Sequence, residues 1–375
     1  MKKVFSFILG LLIFCPSFPS AIADVTADAN VVRLTSSLHQ NFTGEFRNDD
    51  LAQELTPSGR LGQLVFIPVN KSRVWVIDPA LIDEVVVMSS GYKLATQAQP
   101  IGQQIATIWL LQLKNVSAEN NVIALAYGNP DVSMAKRLAP SELRMYYSFG
   151  KTQLEISLGR SVSSAPKGGW STGISKLSPL LRKSYGDDRK ALTRLSKVVN
   201  SPDLLWLKLR LARLLSPQLT FEDRKYFAFN AHTAVNAQLH RLRVNPGKYQ
   251  ITTEKSRLPV TVINDFPVEV TIDIQMLAMN ARILVDSFSA LTLAPNSKTQ
   301  LELNTYVVAP GQTIVSAQIT DDEGNDVVPA TTLALNATVI DARVTWFTTG
   351  AAILLLLAAV AQSVRRVRKG RKREI

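Results

Sequence analysis

Residues Val268 to Met276 alternate apolar and polar over nine positions without an error. That period of two belongs to a strand with one face buried and the other wet. Leu258 to Ile263, Leu301 to Tyr306, Val315 to Ile319 and Leu333 to Val339 repeat the idea. Asn264-Asp265, Pro295-Asn296, Pro310-Gly311 and Glu323-Gly324-Asn325 supply the turns. The spacing predicts an all-β immunoglobulin-like sandwich over residues 247–341, starting at the break Pro246-Gly247.

Residues 31–245 carry two periods. Leu64 to Pro68, Val74 to Ile77, Val122 to Tyr127 and Gln153 to Leu158 are short apolar runs suited to strands, with stretches of helical length such as Gly102 to Lys114 between them. The alternation predicts an α/β domain, partly barrel-like or an open sheet with parallel strands, whose C-terminal part is helical. Ser201-Pro202-Asp203 opens a helix through Leu204 to Leu215, with a capping serine and proline at the first helical position. Thr220-Phe221-Glu222-Asp223 opens another, running to about Leu242. Ser161 to Gly173, rich in Ser and Gly, reads as a loop at a surface or cleft rim.

Two apolar segments flank these regions. Lys2-Lys3, the run Val4 to Phe14, then Pro16, Pro19 and Ala21-Ile22-Ala23 follow the order of a signal peptide over residues 1–23. Val344 to Val364 has no formal charge, and a helix of that length can cross about 30 Å of hydrocarbon. The basic run Arg365 to Arg373 follows at once, which predicts a transmembrane helix over 344–364 and a cytoplasmic tail over 365–375. The expected location is the cell membrane, single-pass, with the large part outside and the lipid bilayer as one partner.

Charge changes the picture only at the ends. The formal net charge is +12, yet residues 24–343 hold 33 basic and 29 acidic side chains. A basic nucleic-acid surface is therefore not indicated, and no nucleic-acid partner is expected. A chain that is 46% hydrophobic, with 18 Gly and 18 Pro, is neither disordered nor collagen-like. The one cysteine, Cys15, lies in the leader, so disulfides, thiolate catalysis and cysteine-held metal are excluded from the mature chain.

Candidate chemistry gathers just beyond the apolar runs. Asp78-Pro79 follows Val74 to Ile77, and Tyr127-Gly128-Asn129-Pro130-Asp131 follows Val122 to Ala126. Ligands of α/β sheets bind beyond the carboxyl ends of strands. Asp78 and Asp131 are thus the candidate catalytic pair, as acid and base or nucleophile and acid on a glycosidic bond. Glu155 is a weaker third, and Tyr127, Asn129 and Trp170 are candidate binding residues. Turn chemistry is the competing role for both aspartates, since Asp-Pro and Asn-Pro-Asp are ordinary turn sequences. His232 and His240 stand two helical turns apart, about 12 Å along an axis, too far to share one metal ion unaided. No His-Glu-x-x-His or P-loop occurs, so no metal site and no cofactor is expected.

Three stretches resemble a family of exported actinobacterial membrane proteins with no assigned function. They are Trp75 to Asp83, Ala126 to Val132 and, most closely, Leu258 to Val268 with the strands that follow. The final apolar segment with its Arg-rich end is similar too. Members are often encoded beside the flippase for the cell-wall lipid precursor, which implies an envelope role. The resemblance implies an α/β barrel-like domain of the kind seen in glycan hydrolases and deacetylases, though the His-x-x-x-His pair of a typical polysaccharide deacetylase is missing here. The function expected is binding or scaffolding at the cell wall, with wall glycan or envelope proteins as partners. The alternative is a glycan hydrolase or deacetylase using the strand-end carboxylates.

Overall fold

The computed structural model describes residues 31–67, 73–166, 169–170, 173–338 and 342–371. The signal peptide expected over residues 1–23, including Cys15, lies outside the described residues. The N-terminal part runs β1 (Val31–Leu34), α1 (Asp50–Leu55), α2 (Arg60–Phe66), β2 (Val74–Ile77), α3 (Pro79–Ser90), α4 (Gln103–Ser117), β3 (Asn121–Ala124), α5 (Val132–Leu138), α6 (Pro140–Leu158) and β4 (Ser163–Ser164). The four strands pair in the order β1-β2-β3-β4, all parallel. Trp75 and Ile77 enter one core and Val76 another, so helices cover both faces of the sheet.

Two of the expected strands are helices. Leu64 to Phe66 closes α2, because Leu61 and Val65, four apart, are both fully buried, the helical period winning over a short apolar run. Gln153 to Leu158 is the last part of α6. Its alternation fits a strand, but Tyr146, Gly150, Leu154 and Leu158 recur every four residues on the buried face and Ile156 is left exposed.

The chain then becomes helical through α7 (Pro179–Val198), α8 (Pro202–Arg210), a 3-10 turn at Leu211–Leu215 and α9 (Phe221–Leu239). Thr220 caps α9 by accepting the Asp223 N–H at 3.1 Å. Ser201 occupies the cap position of α8, yet its hydroxyl is buried without a partner among the described residues.

Strands follow: β5 (Leu242–Val244), β6 (Gly247–Ile251), β7 (Lys255–Asn264), β8 (Val270–Ala278), β9 (Ile283–Val285), β10 (Phe288–Leu293), β11 (Ser297–Val307), β12 (Gly311–Thr320) and β13 (Thr331–Ala337). They form a five-stranded sheet, β10-β8-β12-β13-β6, and a four-stranded one, β5-β7-β11-β9. Val260 and Val262 of one sheet and Ile272, Ile274, Val315 and Leu333 of the other lie in one apolar core, which continues into α7, α8 and α9. Strand β5 precedes Pro246 and pairs with β7, so the chain joins this sheet before the Pro-Gly break.

The last element, α10 (Ala342–Arg371), corrects the expected fold class and location. Among the described residues no helix is long and apolar enough to cross a membrane. Its unbroken apolar run is Ala351 to Ala361, bounded by Thr349-Gly350 and Gln362-Ser363. The threonines, glycine, glutamine and serine on either side of that run lower the mean apolarity of the helix. The single-pass membrane placement is therefore not supported, and the class is a mixed helix-and-sheet fold.

Candidate functional site

Both candidate carboxylates stand where strands of the parallel sheet give way to helices. Asp78 is the N-cap of α3, directly after β2. It is 4% exposed, and its Oδ1 accepts two backbone N–H groups, from Ala80 at 3.0 Å and Gly128 at 2.9 Å. Asp131 is the N-cap of α5, beyond β3. Its Oδ1 accepts the N–H of Ser133 (2.9 Å), the hydroxyl of Ser133 (2.7 Å) and the N–H of Met134 (3.1 Å). Its Oδ2 accepts the Ser175 N–H at 2.8 Å. The Gly128 bond ties Asp78 to the same loop that carries Asp131.

That loop is tightly held. Tyr127 donates its N–H to Tyr146 of α6 at 2.9 Å, and Gly150 permits the approach, since a Cβ there would stand 2.9 Å from Leu125 O. Gly128 has φ of 77°, and a Cβ would meet Arg213 Cγ at 2.6 Å. Asn129 is buried with φ of 41°, and its side-chain N–H2 has no partner among the described residues. The Tyr127 ring is buried edge-on against Phe149. Trp170 is placed elsewhere, its carbonyl accepting from Arg33 of β1 at 2.6 Å and its ring 5.5 Å from that guanidinium. Glu155 accepts the Val162 N–H at 3.1 Å. Among the described residues no group of three or more His, Cys, Asp or Glu could hold a metal ion.

The more heavily charged arrangement is one that the strand-end argument missed. Glu84 of α3, 1% exposed, lies 2.6 Å from Arg213 Nη2 in the 3-10 turn. Its Oε1 also accepts the N–H groups of His39 (3.1 Å) and Gln40 (2.8 Å), and its Oε2 meets His39 Nδ1 at 3.1 Å. Arg210, one turn before Arg213, donates from Nη2 to Gln40 Oε1 at 3.1 Å and Asn41 O at 2.8 Å. A buried ion network thus fixes loop 39–41, and the loop fixes Arg210. The sequence signal was there: Asp83-Glu84 interrupts an apolar helix, and Arg210 and Arg213 interrupt a leucine-rich one.

Burial and charge pull these acids apart. Burial pushes Asp78 up to about 7, against the opposing pull of Arg213 and the two N–H bonds. Burial likewise raises Asp83 to about 6. Burial would raise Glu84 as well, but Arg213 and then His39 outweigh it and hold Glu84 at about 2. Asp131 is raised by burial and lowered by more, through the Ser133, Ser175 and Met134 bonds, ending below its ordinary value.

The two caps should respond differently to an amide. Both bonds at Asp78 use Oδ1, so Asp78→Asn keeps them and removes a buried charge; its stability should match or exceed wild type. Asp131 uses both oxygens, so Asp131→Asn sets an N–H2 against the Ser175 N–H and should cost about 1–3 kcal/mol. Urea denaturation at neutral pH reads both. The pH dependence carries a sign too. A carboxyl raised in the folded state binds protons that the unfolded chain has released, so stability falls as pH climbs from 3.8 to about 7. The advantage of Asp78→Asn should therefore grow across that window and level off above it.

A helix-capped parallel sheet, a buried ion network and two further sheets define a mixed helix-and-sheet protein. The chain belongs to a family of unknown function, DUF6049, which matches residues 161–372. The matched part includes Arg210 and Arg213 and stops short of Asp78 and Asp131. Nothing among curated proteins matches the sequence. Part of the chain is similar to WR4, a Caenorhabditis elegans MSP family member, at 13% identity over 26% of this chain and 98% of that one, with a TM-score of 0.20. It is also similar to the PapD-like domain 7 of human CEP192, at 11% identity over 27% and 87%, with a TM-score of 0.21. Alpha-2-macroglobulin from Escherichia coli, from domain MG7 to the C-terminus, gives 17% identity over 26% and 16%, with a TM-score of 0.21.

Proposed function

We propose that the chain is a non-enzymatic binding or scaffolding protein whose partner is cell-wall glycan or a protein held on it, with residues 1–23 directing its export. One observation carries this reading. Asp78 and Asp131, the acids placed where strand-end chemistry would be, are engaged by backbone N–H groups at helix starts. A carboxylate so held builds the fold. The resemblance of Trp75 to Asp83 and Leu258 to Val268 to envelope proteins supports the choice of partner.

A second reading has one observation in its favour. Burial holds Asp78 near 7, the range suited to a general acid or base, which is what hydrolysis of a glycan would require. Incubation with insoluble wall glycan separates the two. The binding reading expects the protein to sediment with the glycan and no soluble sugar to be released. Release by wild type that Asp78→Asn abolishes would establish the enzyme instead.

A further inference from the structure

A cleft of about 440 Å3 opens between α8 and α9, closed on one side by Phe42 and Thr43. Its α8 wall is Asp203, Trp206, Leu207 and Arg210, the positions i, i+3, i+4 and i+7 of one helix face. Ala234 and Gln238 of α9 form the opposite wall. The volume falls in the range of about 300–1,000 Å3 that small-molecule sites occupy.

The side chains here are held before any ligand arrives. Trp206 is 38% exposed, and its ring is braced by Phe149 at 5.0 Å and Tyr127 at 6.4 Å, both edge-on. Arg210 lies 5.6 Å from the Phe42 ring centroid and bonds to loop 39–41 through Nη2, which leaves Nε and Nη1 out of those bonds. Arg241 stands 3.6 Å from Asp203 and donates to Gln238 Oε1 at 3.2 Å, which leaves the Gln238 N–H2 outside that bond.

We infer that this cleft binds a saccharide of one or two pyranose rings, the apolar C–H face stacking on Trp206 and the hydroxyls meeting Arg210, Asp203 and Gln238. The choice follows from the lining. A hydrocarbon tail would lie against a guanidinium, a carboxylate and an amide while offering none of them a hydrogen bond. A phosphate would suit Arg210 but meet the Asp203 carboxylate. A polyhydroxyl with one apolar face satisfies the aromatic plate and all three polar groups. The buried network then has a use, because Glu84 holds loop 39–41 and the loop aims Arg210.

The inference rests on the glycan-binding reading and narrows it to one site. Tryptophan fluorescence and calorimetry of the full chain, titrated with chitobiose, cellobiose and maltose, test it. Saturable binding of at least one disaccharide is expected, weakened at least about tenfold by Trp206→Ala and by Asp203→Ala, and largely kept by Trp206→Phe. Asp203 is on the exposed rim, so its replacement should leave the fold intact should Trp206→Ala loosen its packing. Absence of saturable binding with all three sugars overturns the inference, as does binding that neither alanine substitution moves. A chain that ignores disaccharides yet sediments with wall glycan sinks this site alone; a chain that does neither sinks the binding reading as well.

Discussion

Glu84→Gln is expected to lower the unfolding free energy by about 3–5 kcal/mol, the usual cost of removing one partner from a buried ion pair. Arg213 is 5% exposed, and burial disfavours its charge, which the Glu84 carboxylate compensates. Losing the Glu84 charge leaves that guanidinium without its closest counter-ion. Truncation of both partners, Glu84→Met with Arg213→Met, should recover part of the loss because no uncompensated charge remains. Recovery stays partial, since the N–H groups of His39 and Gln40 lose the acceptor they share. Equilibrium urea unfolding of the two variants against wild type gives the numbers. An unchanged midpoint for Glu84→Gln would mean that the pair is not buried as described.

Gly128→Ala should be nearly as costly, about 2–4 kcal/mol, from positive-φ strain and a direct clash together. The new methyl would meet Arg213 Cγ at 2.6 Å and the Arg213 backbone at 3.1 Å. Backbone cannot swing aside as a flexible side-chain tip can. The Gly128 N–H also donates to Asp78, so the displaced loop would strain the α3 cap. Both substitutions act through Arg213, so the double variant Glu84→Gln, Gly128→Ala should lose less than the sum of the single losses. Additive losses would show that the loop and the ion pair are independent.

Local period was legible wherever one face of an element is clearly buried. From Val270 to Met276 the alternation lies in β8, with Val270, Ile272, Ile274 and Met276 inward, while Val268 and Glu269 precede the strand. Short windows failed. Leu64 to Pro68 and Gln153 to Leu158 look like strands over five or six residues, and only the longer rows ending at Val65 and Leu158 reveal helices. The Val344 to Val364 segment carries no charge, but absence of charge is not apolarity, and only Ala351 to Ala361 is apolar without a break.

The site was legible in part for a similar reason. Asp78 and Asp131 announce themselves by position, each following an apolar run, and turn or cap chemistry is what their bonds describe. Glu84 and Arg213 are 129 positions apart in sequence, and no spacing rule joins them. Their signal is a charge inside an apolar helix, which requires a partner without saying which one. The cleft is harder still. Trp206 and Arg210 share a helix face, but Gln238 and Phe42 join them only through the fold.

The central claim is that the carboxylates at the strand ends hold the structure while the protein works by binding. Its most direct test is Asp78→Asn, measured at pH 7.5 both for stability and for sedimentation with insoluble wall glycan. The account predicts a protein at least as stable as wild type that sediments with the glycan to the same extent. A variant that folds with undiminished stability yet fails to sediment with the glycan would contradict it.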